Sequence, residues 1–183
     1  MDLPDIIQAV SQIEGWFYEE QMTILHPIIS ALSTDAVLVE IGTYHGRSTL
    51  FFRLSNPNID IITIDLCKPY EAINGMLVNP PPAIDDRIIQ YGRIVQIIGE
   101  SSDVASRFER DIDCLFVDGN HTYGGVQKDI TAWMPKVRGG GWVIFHDYDP
   151  QYEGVIRAVD ELERSGGLER LYAKSLLFVG RKT

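Results

Sequence analysis

Cysteine is nearly absent from this chain of 183 residues: Cys67 and Cys114 are the two. A disulfide-built secreted scaffold needs more, so a reducing compartment, the cytoplasm, is the expected setting. Positive charge is also scarce. Lys and Arg number 16 against 26 Asp and Glu, a formal net charge of -10. Such a surface repels phosphate backbones, and the densest basic groups, Arg87–Arg93 and Arg181–Lys182, are diluted by other residues. No nucleic-acid partner is expected. Long apolar runs are missing: none approaches the ~20 residues that cross a bilayer, so no membrane partner is expected either. The start, Met1-Asp2-Leu3-Pro4-Asp5, is acidic and has no signal-peptide n-region. Internal repeats and low-complexity tracts are absent. What remains is ordinary for a globular protein, 45% hydrophobic and 23% charged, on a length sufficient for one domain with its own core.

Apolar periodicity divides the chain into 1–34 and 35–183. In the first part Ile6, Ile7, Val10 and Ile13 share one helical face, and so do Met22, Leu25, Ile28, Ile29 and Leu32. Pro27 is expected to kink or restart the second helix. Ile28, Ile29 and Leu32 are candidates for facing a second copy of the chain, a homodimer or higher homo-oligomer. From residue 36 the pattern changes to continuous apolar runs, 36–42, 59–65, 92–99, 113–118 and 139–147, each of the kind buried on both sheet faces. Helical segments, 46–55, 101–109, 123–137 and 153–166, separate them, and 168–182 resembles two strands around Ala173–Lys174. Alternation of this kind predicts an α/β fold, Rossmann-like and doubly wound, with a mainly parallel sheet and right-handed crossovers. Ligands then bind beyond the carboxyl ends of the strands. One connection, Leu66–Ala83, is long and carries Pro69, Pro80, Pro81 and Pro82. It reads equally as a functional lid or as a disordered segment.

The first strand-to-helix turn, "VEIGTYHGRST", holds Glu40, Gly42 and Gly46. Its G-x-x-x-G spacing departs from the dinucleotide G-x-G-x-x-G, and Glu40 is a poor companion for phosphate. An acid there suits an ammonium, the helix N-terminus suits a carboxylate, and Asp65, ending the second strand, suits ribose hydroxyls. A ligand with all three groups is S-adenosylmethionine. A turn whose glycines only solve a packing problem is the plainer alternative.

"CLFVDGNHTY" and "WVIFHDYD" end two further strands on Asp118 and His146-Asp147, with His121 three residues beyond Asp118. Adjacent strands lie about 4.8 Å apart, so these side chains are placed to converge on one ion. Oxygen ligands suit Mg²⁺, and a more histidine-rich set admits another divalent cation. The metal candidates are therefore Asp118, His146 and Asp147. His121 is the candidate general base, with an ordinary pKa near 6.5; Asp118 joins it in the catalytic pair. Asp118 as a simple cap of the helix near Thr122 is the rival reading.

"VEIGTYHGRST", "ITIDL", "IIGESSD", the run 113–147 and "GVIRAVDEL" resemble class I S-adenosylmethionine-dependent methyltransferases. The nearest group is the small-molecule O-methyltransferases that include the cephalosporin-hydroxylase-type and macrolide-sugar enzymes. The resemblance implies a seven-stranded sheet with a reversed last strand, preceded here by the N-terminal helical extension. It implies cofactor positions at Glu40, Gly42, Tyr44, Gly46, Asp65, Glu100, Ser101 and Asp118, and a small-molecule methyl acceptor. Tyr44 stands where many such enzymes have glycine. Metal-dependent relatives place an acid pair or acid-amide pair where this chain has His146-Asp147, so one carboxylate is replaced by imidazole. Two rivals stand beside the enzyme: a non-catalytic S-adenosylmethionine-binding sensor or assembly protein, and a dinucleotide oxidoreductase, which the turn's spacing disfavours.

Overall fold

The computed structural model describes residues 1–71, 77–81 and 83–183. Two helices open the chain, α1 (Leu3–Val10) and α2 (Glu19–Ser30). Asp2 caps α1 by accepting the Asp5 N–H at 3.0 Å, a contact that satisfies an otherwise orphaned donor. The helix does not restart at Pro27: α2 continues through it. Leu25 and Ile29, either side of the proline, are fully buried, and their packing holds the helix together where one backbone bond is missing.

The rest alternates: β1 (Val37–Ile41), α3 (Arg47–Ser55), β2 (Asp60–Asp65), then a two-stranded ribbon of β3 (Tyr70–Glu71) and β4 (Leu77–Val78). It continues with α4 (Asp86–Ile89), β5 (Ile94–Ile98), α5 (Ser101–Ala105), β6 (Ile112–Val117) and α6 (Tyr123–Trp133). β7 (Val137–His146), α7 (Glu153–Arg164), β8 (Leu168–Lys174) and β9 (Leu177–Lys182) complete it. α6 is shorter than its expected 123–137 because Pro135 forces a 3-10 turn over Met134–Lys136, after which β7 begins. Residues 72–76 and Pro82, within the expected long connection, lie outside the described residues.

The sheet has seven strands in the order β5-β2-β1-β6-β7-β9-β8. β9 inserts between β7 and β8, antiparallel to both, while β5, β2, β1, β6 and β7 are parallel neighbours. The expected doubly wound sheet with a reversed last strand is therefore present. Side-chain alternation splits the core in two. Leu38, Ile61, Cys114, Phe116 and Ile144 face α1, α2 and α3. Val39, Ile62, Leu115, Val143 and Phe145 face α6 and α7. Ile29 and Leu32, candidates for a subunit contact, are instead buried in the first of these layers. Their neighbours are the other residues of that layer, from α1, α3 and the sheet, and Ile28 is only partly buried.

Candidate active site

The strand ends build the site. Ile41 pairs with Val117, and Val117 with Phe145, so Gly42, Asp118 and His146 leave the sheet at one level. From β1 the chain first goes to β2 on one side and later to β6 on the other. The crevice of such a sheet opens where that order reverses, between the ends of β1 and β6.

Gly42 has φ +92°, and a Cβ there would stand 2.0 Å from the Asp118 carbonyl oxygen. No other residue fits. Gly46 caps α3 with φ +85°, and its Cβ would meet Ile84 Cγ1 at 2.4 Å. Tyr44, between them, also has positive φ, +47°, a region that costs a non-glycine residue about 1–2 kcal/mol. Its hydroxyl donates to Glu14 Oε1 at 2.8 Å, and its ring lies 5.0 Å from Trp16 and 4.3 Å from His45. Burial, with Glu14 beside it, pushes the phenol up to about 12.

Glu40 lies elsewhere than expected. It is fully buried beneath the turn, where the Ser48 and Thr49 hydroxyls each donate to one of its oxygens at 2.5 Å. Burial raises its pKa to about 7 against those hydrogen bonds. Placed this way it anchors the start of α3 and offers no open oxygen to an ammonium. Asp65 accepts the Thr43 and Tyr44 N–H groups at Oδ2, 2.8 and 2.9 Å, and the Cys67 N–H at Oδ1, 2.7 Å. Among the described residues three of its roughly four acceptor positions are used, which leaves one for a hydroxyl. Glu100 accepts from Lys128 Nζ at 2.9 Å. Ser101 turns its hydroxyl into the core, donating to Asp129 at 2.6 Å and accepting from the Trp133 indole at 2.7 Å. That side chain is thus used inside the fold rather than beside an adenine.

The acids and imidazoles converge. One ligand atom each from Asp118, His121 and Asp147 lies within 4.8 Å of the others. His121 Nε2 is 2.8 Å from Asp147 Oδ2 and 4.0 Å from Asp118 Oδ1. His146 Nδ1 is 3.2 Å from Asp118 Oδ1 and 3.1 Å from Asp147 Oδ2. Despite these distances, none of the three nitrogens (His121 Nε2, His146 Nδ1 and Nε2) makes an aligned hydrogen bond among the described residues. Thr122, accepting from Gly125 N–H at 3.2 Å, caps α6, so Asp118 is free of that duty. Asp147 itself has φ +56°, strain of the kind that gathers at functional sites.

Charge couples the four. Burial opposes protonation of both imidazoles, but Asp118 and Asp147 override it, raising His121 to about 9 and His146 to about 10. Asp147 is held well below the usual carboxylate range, its burial outweighed by His121 and His146. Asp118, His121 and Asp147 form a donor set suited to a divalent cation, two carboxylates and a ring nitrogen within 4.8 Å of one another.

Aromatic residues that sequence reasoning passed over frame this cluster. The Tyr152 ring lies 4.8 Å from that of His121. Burial, then Asp118, Asp65 and Asp147, raise the Tyr70 phenol to about 12. Of the triplet after Gly15, Phe17 is buried, whereas Trp16 and Tyr18 stand exposed. Nothing in local spacing marks Tyr70 or Tyr152.

Fold and strand-end chemistry are those of the methyltransferase class. Residues 39–148 match the sequence profile of the family described as Methyltransferase domain, and the chain belongs to that family. An uncharacterised protein of Acanthamoeba polyphaga mimivirus is 30% identical over 116 residues, 62% of this chain and 52% of that protein. The chain thus spans about half the length of that curated relative. MycE methyltransferase from the mycinamycin biosynthetic pathway, in complex with Mg, SAH and mycinamycin VI, superposes with a TM-score of 0.69. It is 17% identical, over 100% of this chain and 53% of the other. CalS11, a calicheamicin methyltransferase, superposes with a TM-score of 0.67 at 15% identity, over 98% and 90% of the two chains.

Proposed function

We propose that the chain is an S-adenosylmethionine-dependent O-methyltransferase for a small hydroxylated molecule, assisted by a divalent cation. The observation that carries the reading is the convergence of Asp118, His121 and Asp147 within 4.8 Å, at the switch-point crevice beside the glycine turn. The similar MycE structure holds Mg, SAH and mycinamycin VI, which supports a cation, a methyl donor and a small acceptor as the ligands.

Asp118 and Asp147 would hold the cation, which when bound polarises an acceptor hydroxyl and lowers its pKa. Asp65 would take a ribose hydroxyl of the donor with its remaining acceptor position. Gly42, Tyr44 and Gly46 shape the turn against which the methionine moiety would lie, and Glu40 holds that turn from beneath. His121 Nε2 would accept the proton of the acceptor hydroxyl. The acceptor oxygen then bonds to the sulfonium methyl carbon as the carbon–sulfur bond breaks, leaving a methyl ether and the neutral thioether. The carboxylates that hold a proton on His121 are those a cation would occupy, so cation binding and a free Nε2 lone pair go together. Beyond these steps the protein supplies alignment. The rim of Trp16, Tyr18, Tyr70 and Tyr152 fits a planar or sugar-like acceptor, which stacks on aromatic faces.

Calorimetric titration with S-adenosylhomocysteine and with NAD, then methyl transfer to a panel of catechols and sugars with and without a chelator, tests the proposal. Binding of the thioether, no binding of NAD, and turnover lost on chelation are expected. Thioether binding without turnover on any hydroxylated acceptor would reduce the protein to a sensor.

A further inference from the structure

The cluster contains nitrogen where a hard-cation site has oxygen. His146 ends β7 on the same face as Ile144, its ring 6.3 Å from Phe17 and 6.2 Å from Phe116. Its side chain is 2% exposed, and neither ring nitrogen has a hydrogen-bond partner among the described residues. A buried polar side chain left in this state is costly unless something else satisfies it. Nδ1 lies 3.2 Å from Asp118 Oδ1 and 3.1 Å from Asp147 Oδ2. Two ligands at right angles on one ion, with bonds of about 2.1 Å, stand about 3.0 Å apart. Both nitrogen–oxygen spacings match that figure.

Magnesium favours an all-oxygen shell and gives up water reluctantly. Imidazole favours the first-row transition ions, with affinity rising from manganese through cobalt and falling again only after copper. We infer that this centre selects a borderline divalent ion of the manganese, cobalt or zinc kind over magnesium, with His146 Nδ1 as a ligand beside Asp118 and Asp147. The inference rests on the cation-assisted reading above and narrows it. His121 remains the base because it is the more exposed ring, 37% against 2% for His146, although its Nε2 also stands 2.8 Å from Asp147 Oδ2 and 4.0 Å from Asp118 Oδ1.

The test is direct binding to chelator-stripped full-length protein. Mg²⁺, Mn²⁺, Co²⁺ and Zn²⁺ are titrated calorimetrically, with S-adenosylhomocysteine binding measured on each sample as a check on the folded site. Manganese is expected to bind about tenfold or more tighter than magnesium, and His146→Glu, which restores an all-oxygen set, to erase that preference. Because a buried carboxylate can unfold the variant, pulsed electron paramagnetic resonance of Mn²⁺ on the wild type and on His121→Ala supplies a second reading. A nitrogen coupling that changes on ¹⁵N-histidine labelling and survives in His121→Ala supports ligation by His146. Magnesium binding as tightly as manganese, or no nitrogen coupling in His121→Ala, overturns the selectivity while leaving cation assistance standing. Failure of all four ions to bind protein that still binds the thioether overturns both the selectivity and the cation, and leaves methyl transfer.

Discussion

His121 and Glu40 are the two residues whose surroundings make opposite demands. His121 lies between carboxylates and against the Tyr152 ring, with one face open to the crevice. Removing it as His121→Ala takes away the proton acceptor and nothing that touches the glycine turn. Turnover should fall by about 10²–10⁴-fold, the usual worth of a general base, while calorimetric affinity for S-adenosylhomocysteine stays at the wild-type value. Full activity in the variant would remove His121 from the chemistry. Glu40 has no open face, and its pKa is raised from 4.5 to about 7, chiefly by burial. Its folded value lies above its unfolded one, so the folded protein binds the extra proton between the two. Stability contributed by the neutral form is therefore lost as pH rises through that window. The loss from this group is about 2 kcal/mol between about pH 5.5 and about pH 8. Urea denaturation of wild type and Glu40→Gln at both pH values should show the difference shrink in the variant; an unchanged wild-type slope in Glu40→Gln would place the effect elsewhere.

At the scale of elements, what the sequence made readable was what depends on neighbours along the chain. β1, β2 and β6 are continuous apolar runs because helices cover both their faces, and each stops where a polar residue appears. Asp65, Asp118 and Asp147 could be placed at strand ends for that reason alone. His146 was legible too, since two-residue alternation puts it on the face of Ile144. What was not legible came from contacts distant in sequence. The inward turn of Glu40 depends on where α3 docks Ser48 and Thr49. The α1–α2 connection folds over the glycine turn, so that Glu14 meets Tyr44 and the Gly15 carbonyl accepts from Arg47 at 2.8 Å, and no periodicity encodes that. Pro27 misled because local chemistry predicts a break that tertiary burial overrides. Asp65 lets the turn be tested as a unit. It ties β2 to the Thr43 and Tyr44 amides, so Asp65→Ala removes three accepted hydrogen bonds and the hydroxyl position together. Thioether affinity should weaken by at least about tenfold, since each hydrogen bond to a charged group is worth about 1.5–3 kcal/mol. Unchanged affinity in calorimetry would show that the turn holds its shape without this anchor.

For the whole molecule the decisive feature is that the N-terminal helices are part of the core. Residues 1–34 read in the sequence as an extension before a Rossmann-like unit, yet they supply one of the two layers that cover the sheet. Ile6, Val10, Ile13, Phe17, Met22, Leu25, Ile29 and Leu32 are all buried, at 9% exposure or less. They rest on α3 and on the sheet residues Leu38, Phe116 and Ile144. Burying a side chain of this kind contributes about 1.5–3 kcal/mol, so even at the low end the eight together approach about 12 kcal/mol. That is comparable to the entire net stability of a domain, about 5–15 kcal/mol. Phe17 also lies 6.3 Å from His146, so the same segment walls the apolar side of the acid-imidazole cluster. A chain beginning at Asp35 would leave the apolar face of α3 and half the sheet in water, and should be recovered aggregated, with no cooperative thermal transition and no thioether binding. Point variants separate the layer's two contributions. Leu25→Ala, on a helix that supplies no residue to the cluster, should lower stability by about 2–5 kcal/mol and leave cation affinity alone. Phe17→Leu should cost less in stability and yet disturb cation affinity, because it loosens the ring that holds His146 in place. Equal effects of the two substitutions on ion binding, measured by calorimetry at a temperature where both are folded, would mean that the helical layer acts on the site only through global stability.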